Sequence, residues 1–216
     1  MAHLVSVNLG RSTPGGDGRT GIHKEPIVGH AFIRDPGPRT GGLGSGLHGD
    51  FIGSRKHHGG RDQAVYAVAQ EELEHWAAEI GRPLPPGAFG ENLTTIGLDV
   101  DAAIVGETWI IGGTVKLQVA GPRIPCATFA AAIGEPRWVK RFTERGRTGA
   151  YLRVLEGGTL AAGDEIVVVR RPTHGIDVPL MFRALTTERH LMPRLAEIAD
   201  LGEPGERELA AYLARQ

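Results

Sequence analysis

Apolar and polar residues alternate from the start of the chain. Val5, Val7 and Leu9 interleave with Ser6 and Asn8, which predicts a half-buried strand. A loop rich in Gly, Ser and Thr follows over residues 11–21, then a second predicted strand over 27–33. Residues 36–49 are almost pure turn composition, and 64–68 read as a short strand. Leu73, Trp76, Ala77 and Ile80 then recur at helical spacing, predicting a helix over 70–80 with Trp76 in the core. Gly81 and Pro83 are its stop signals.

Leu93 opens another short strand, and residues 108–111 and 114–119 are joined by Gly112-Gly113, a two-residue hairpin signal. Pro136 stands where a helix would begin, with Trp138, Val139 and Phe142 as its apolar face to about Arg145. Residues 150–155 and 164–169, around Gly157-Gly158, are expected to pair antiparallel.

From residue 172 the period turns helical. Asp177 is placed as an N-cap with Pro179 in the first turn, and Leu180, Met181, Ala184 and Leu185 share a face. A second helix is expected over 189–199 and a third from near Pro204, carrying Leu209, Tyr212 and Leu213. Helices this short must pack on something to persist. The expected fold class is mainly β with inserted helices, α+β. A β-barrel over 1–171 would hide its strand edges, and 172–216 would form a small three-helix C-terminal segment.

Composition narrows the function classes. Thirty-two glycines and 14 prolines favour turns and short elements. A net charge of −1 gives no drive toward nucleic acid or an anionic membrane, and neither is expected as a partner. No apolar run approaches the roughly 20 residues that span a bilayer. The first residues lack a signal-peptide pattern, so the expected compartment is the cytoplasm. A single cysteine excludes an intramolecular disulfide and a multi-cysteine zinc or iron–sulfur site within this chain.

That cysteine closes Gly121-Pro122-Arg123-Ile124-Pro125-Cys126. Its prolines stiffen the segment. Two readings stand: a reactive thiol on a rigid turn, or a small buried hydrophobe. Arg123, if it points the same way, favours thiolate. His57-His58 lacks any metal-ligand spacing, and adjacent strand residues face opposite ways. His58-Gly59-Gly60 reads as a tight turn whose glycines admit a ligand closely, with His58 offering a hydrogen bond or proton, or else as a solvated surface turn. Gly44-Ser45-Gly46-Leu47-His48-Gly49 matches G-x-G-x-x-G but lacks the flanking strand and helix of a dinucleotide site. Arg55, Lys56, Arg61 and Arg123 suit an anionic ligand, or are solvated charges. Glu91-Asn92 caps a turn or bonds a ligand, the structural role being favoured.

Four stretches together resemble the MOSC domain, the module at the C-terminus of molybdenum cofactor sulfurases, and most closely its stand-alone YiiM-like branch. They are Gly49-Asp50, His58-Gly59-Gly60-x-Asp62-x-Ala64-Val65, Phe89-Gly90-Glu91-Asn92-Leu93 and Arg123-x-Pro125-Cys126, in family order, with Thr148-Gly149 at the last glycine motif. Ile52, Ser54 and His57 depart from the family pattern. The resemblance implies a MOSC-type β-barrel that binds the molybdenum cofactor (molybdopterin). Cys126 would ligate molybdenum or carry sulfur, a soft thiolate suiting that metal. It further implies Cys126, His58 and Asp62 as catalytic residues, and Lys24, Arg55, Lys56, Gly59, Gly60, Glu91, Asn92 and Arg123 as cofactor contacts. The expected activity is reduction of N-hydroxylated compounds such as hydroxylamino purines, with His58 or an acidic neighbour supplying a proton. Electrons would come from a separate donor protein, since the chain has no flavin, iron–sulfur or haem motif. The alternative is a non-catalytic carrier of cofactor or persulfide sulfur; a third view is a barrel that has lost its chemistry. The helical tail has three uses open to it: docking on the barrel, forming a homodimer, or binding the donor.

Overall fold

The structure, a computed structural model, describes residues 1–15 and 18–215. Gly16 and Asp17, inside the loop expected at 11–21, and Gln216, at the end of the tail, lie outside the described residues.

The first strand, β1 (His3–Gly10), forms where predicted, but its alternation breaks. Leu4 and Val7 enter the core, and Ser6 is buried, its hydroxyl donating to Asn8 Oδ1 at 2.8 Å. A register shift between Leu4 and Ser6 is the cause, since a bulge swaps the faces. The loop after it contains a small hairpin of β2 (Thr13–Gly15) and β3 (Gly18–Thr20). The single strand expected at 27–33 is instead β4 (Lys24–Pro26) and β5 (His30–Ile33). Gly29, at φ 89°, turns the chain between them and leaves Val28 in solvent. β6 (Val65–Ala69) leads into α1 (Gln70–Ile80), which ends at left-handed Gly81 and buries Leu73 and Trp76, as predicted.

β7 (Leu93–Ile96), β8 (Thr108–Ile111) and β9 (Val115–Pro122) follow. β9 runs past the predicted end, up to the residue before Arg123. The alanine-rich stretch after Cys126 is a helix, α2 (Ala127–Ile133), which the pattern did not predict. In α3 (Trp138–Arg145) Trp138 and Phe142 are buried, while Val139 faces solvent. The expected 150–155/164–169 pair does not form. β10 (Ala150–Glu156) lies between β9 and β6, β11 (Gly158–Ala161) pairs with β5, and β12 (Ile166–Arg170) pairs with β8. Asp177 does cap α4 (Val178–Leu185), accepting from Leu180 N at 2.8 Å. A 3-10 helix (Arg189–Glu197) and α5 (Gly202–Leu213) complete the tail.

The fold is α+β. The main sheet runs β12-β8-β9-β10-β6-β7-β1-β4 and is mixed, with β6 and β7 parallel. It is not a closed barrel. β1 gives one half of its free edge to β4, and near His3 it meets residues 163–166 only through an isolated bridge and a few backbone bonds, so no ladder closes the ring. Besides the tail, α1 and α3 are inserted among the strands as expected, and α2 is a further insertion.

Three apolar clusters hold this together. One is built on the main sheet, around Trp109, Leu117 and Leu152. A second is aromatic: Trp76, Phe89, Phe129, Trp138 and Phe142 pack between α1, α2 and α3, with ring centroids from 4.5 to 6.2 Å apart. The third joins Met181, Met192, Leu195 and Leu201 of the tail to Val105. Met181 crosses β9 so closely that a Cβ on Gly121 would lie 3.1 Å from its methyl. The end of β9 is thus gripped by aromatics on one side and by the tail on the other.

Candidate functional site

Beyond β9 the chain has left the sheet but not the protein. Arg123 is only 5% exposed. Its guanidinium lies 4.2 Å from the Phe129 ring centroid and 4.9 Å from that of Tyr66, and Nη1 donates to the Phe89 carbonyl at 2.8 Å. Its Nε is buried without a partner, and it makes no ion pair among the described residues. Removing a guanidinium from water costs several kcal/mol unless charges and hydrogen bonds offset it. Burial opposes the charge, but the Tyr151, Tyr66 and Cys126 groups around it hold its pKa above the ordinary arginine value. The Cys126 thiol is partly exposed, at the extended residue before α2, within electrostatic reach of that cation.

Both line a cleft of about 860 Å³. Lys24, His58, Gly59 and Asn92 line it too, as expected. His58 is held below the ordinary imidazole range by burial, then by Arg123 and Arg39. It is therefore neutral at pH 7, and must take up a proton before it can supply one. Lys24 is ion-paired with fully buried Asp50, and burial lowers its pKa. Asp50 also accepts from Gly10 N (2.7 Å), Ser45 Oγ (2.7 Å) and Asn92 Nδ2 (3.0 Å). These two expected cofactor contacts therefore form a wall whose bonds are largely satisfied within the protein.

Other expected site residues lie elsewhere. Asp62 turns away and pairs with Arg153 Nε at 2.6 Å, because that guanidinium is buried and needs a carboxylate. Glu91 is wholly buried and accepts from Gly87 N, Phe89 N and Thr94 Oγ1 (the last two at 2.9 Å), so it caps the loop that carries Phe89. Arg55 is exposed and donates to the Gly42 and Leu43 carbonyls. Lys56 is exposed and outside the cleft lining. The two turn glycines admit protein, not ligand: a Cβ on Gly59 would lie 2.7 Å from the Gly44 carbonyl oxygen, and one on Gly60 2.7 Å from the Arg39 backbone. The G-x-G-x-x-G loop is what they pack against.

Several lining residues carried no signal in the sequence. Tyr66 and Tyr151, 5.1 Å apart, stand beside Arg123, and burial raises the pKa of both phenols. Tyr66 Oη donates to the Thr148 carbonyl at 2.6 Å, which ties the last glycine motif to the cleft. Strand residues of ordinary composition gave no reason to single them out.

The family model of the MOSC domain matches residues 54–167. The chain belongs to the MOSC domain family. Among its relatives, YflK of Bacillus subtilis is 33% identical over 81% of this chain and 76% of its own length. A protein named Reductase from Gibberella moniliformis is 30% identical over 92% of this chain, which spans 35% of that protein. YiiM of Escherichia coli is 30% identical over 58% of this chain and 57% of its own length. The crystal structure of YiiM from Geobacillus stearothermophilus superposes with a TM-score of 0.81 at 26% identity, covering 99% of this chain and all of that one. The Escherichia coli YiiM structure shares the fold at TM-score 0.75, covering 100% and 94%.

The MOSC family is associated with the molybdenum cofactor. Do these residues fit such a group? Among the described residues no three His, Cys, Asp or Glu side chains converge as a metal site. A metal here would have to arrive with most of its ligands and take one from the protein. One accessible thiol beside an unneutralised buried cation, in a cleft of this volume, fits an anionic metal-bearing group of that kind.

Proposed function

We propose that this MOSC protein holds the molybdenum cofactor in the thiol cleft, with Cys126 as the protein's ligand to the metal, and reduces N-hydroxylated compounds to amines. The observation that carries the reading is Arg123: an almost fully buried guanidinium with an unpartnered Nε, facing the cleft that holds the only thiol. When bound, the cofactor supplies the two electrons that reduce an N–O bond. The balance is simple: R–NHOH takes two electrons and two protons, and leaves as R–NH2 and water.

The chain's own residues do the rest. Arg123 neutralises part of the ligand's negative charge. Phe89, fixed by Glu91, holds Arg123 in place through its carbonyl. His58 Nδ1 or Nε2, neutral at pH 7, accepts a proton from solvent and passes it inward. The electrons come from a separate donor protein, and the relative named Reductase supports the direction of the reaction.

The test is direct. The protein is purified from a cofactor-competent host, its molybdenum is measured by elemental analysis, and reduction of an N-hydroxylated base is assayed with an added electron donor. Parallel loss of metal and turnover in Cys126→Ser is the expected result. Metal retained without turnover would instead indicate a carrier, and a metal-free parent protein would overturn the proposal.

A further inference from the structure

Asp101 stands in the loop between β7 and β8, outside the cleft lining, and is 1% exposed. Its Oδ1 accepts from Gly149 N at 2.9 Å, while its Oδ2 is buried without a hydrogen-bond partner. Arg147 Nη2 lies 3.6 Å from that oxygen, too far for a hydrogen bond. It is kept there because Arg147 already donates to Glu72 at 3.1 Å and to Asp99 at 2.6 Å. Burial, and then the like charges of Glu72 and Asp99, push the Asp101 carboxyl up to about 6, against the Gly149 bond and Arg147. A buried ion left half-paired is a poor way to stabilise a fold.

What Asp101 does hold is the Thr148-Gly149 turn. Gly149 stands at φ 65°, and a Cβ there would lie 2.5 Å from the Ala67 carbonyl oxygen and 3.0 Å from the Tyr66 ring, so the turn is pressed against β6. The Thr148 carbonyl accepts from Tyr66 Oη at 2.6 Å. The Tyr66 ring centroid is 4.9 Å from the Arg123 guanidinium. Contact by contact, the buried carboxylate is joined to the cation of the thiol cleft.

We propose that Asp101 is a positioning residue for the thiol cleft: it holds the Thr148-Gly149 turn so that Tyr66 stays set against Arg123, and taking up a proton loosens that hold. An amide bonds a carboxylate more strongly than a neutral carboxyl. The charged and titratable groups facing Asp101 are Asp99 of its own loop, Glu72 of α1, Arg145 of α3, Arg147 of the turn and Tyr66 of β6. The coupling is a property of the bare protein. Its bearing on turnover rests on the thiol cleft being the cofactor's place.

The chain has three tyrosines, so carbon-13 at Cζ gives few signals, and Tyr66→Phe assigns the one of interest. Titrated by NMR in metal-free protein, the Tyr66 Cζ and Gly149 amide signals should move together, with a shared midpoint of about 6. Asp101→Asn keeps an acceptor for Gly149 N but cannot ionise. Both signals should then stay at the parent's acid-limit positions at every pH. Arg147→Met removes a charge that favours the carboxylate, and should raise the shared midpoint. Asp101 holds its proton more tightly folded than unfolded, so the stability it contributes below pH 3.8 is lost as pH rises through about 6. Asp101→Asn escapes that loss, and its thermal midpoint at pH 7 should match or exceed the parent's. In the loaded enzyme the same variant should lower turnover several-fold at pH 7 and flatten the acid limb of the pH profile. A Gly149 signal that titrates while Tyr66 stays still, or a Tyr66 midpoint unchanged in both variants, would overturn the coupling. Unchanged turnover in the loaded Asp101→Asn enzyme would overturn its role at the cleft. A parent protein without molybdenum whose Tyr66 signal still follows Asp101 would sink the cofactor reading and leave the coupling standing.

Discussion

Arg123 and Arg153 are both nearly fully buried, at 5% and 3% exposure, and their surroundings are opposite. Arg153 is met on every side: Asp62 at 2.6 Å, Asp200 at 2.7 Å and Gln118 at 3.0 Å. Arg123 has one carbonyl, two aromatic faces and an unpartnered Nε. Cation–π contacts of this kind contribute about 0.5–2 kcal/mol, well short of what a buried cation loses in leaving water. Arg153 is a latch between sheet and tail, complete in itself. Arg123 is left without a carboxylate partner among the described residues. Burial alone does not tell a structural charge from a functional one; the partner list does.

Four measurements break or sharpen this contrast. Arg153→Met should lower unfolding free energy by about 3–5 kcal/mol in denaturant titration, because it strands Asp62 and frees the tail. A loss under about 1 kcal/mol would mean the latch is not one. Arg123→Met should change stability by less than about 1 kcal/mol, since it breaks no ion pair among the described residues. The same variant should slow alkylation of Cys126 several-fold. Destabilisation as large as that of Arg153→Met would erase the distinction.

The third measurement is the titration of His58 by NMR. Its folded pKa is depressed from 6.5 by burial, Arg123 and Arg39. The neutral ring is the favoured form in the fold, so its contribution to stability is complete above pH 6.5 and is lost as pH falls through the lowered folded value. Arg123→Met should raise that midpoint and soften the acid loss, whereas a chemically similar change at Lys116 should leave it in place. The smallest effect is expected at Lys116 itself. Its 2.9 Å bridge to Glu156 is well exposed, so Lys116→Ala should cost under about 1 kcal/mol.

Much of this was legible in the chain. The helix at 70–80 had both its period and its stop signals, and Asp177 had the capping chemistry that α4 uses. The Gly112-Gly113 turn has both residues at positive φ, at 59° and 76°, as its pattern demanded. Cys126, Arg123, His58, Gly59, Lys24 and Asn92 were all singled out and do share one cleft. Strand pairing was not legible. β11 chooses β5, and β12 chooses β8, through contacts more than fifty residues distant that no local pattern encodes. The open sheet follows from the same kind of choice, made at the edge of β1.

The sequence by itself determined the family, most elements and the residues rich in chemistry, because periodicity, caps and spaced motifs are local. Only the tertiary structure decided what each charge does. Asp62 and Glu91 sit in the same motifs as His58 and Asn92, yet they turn inward to Arg153 and to the Gly87–Phe89 amides. Gln63, one residue beyond Asp62, keeps a buried Oε1 with no partner. Whether a polar side chain is spent on the protein or left for a ligand depends on which partners the fold brings within 3 Å, and that distance is written nowhere along the chain.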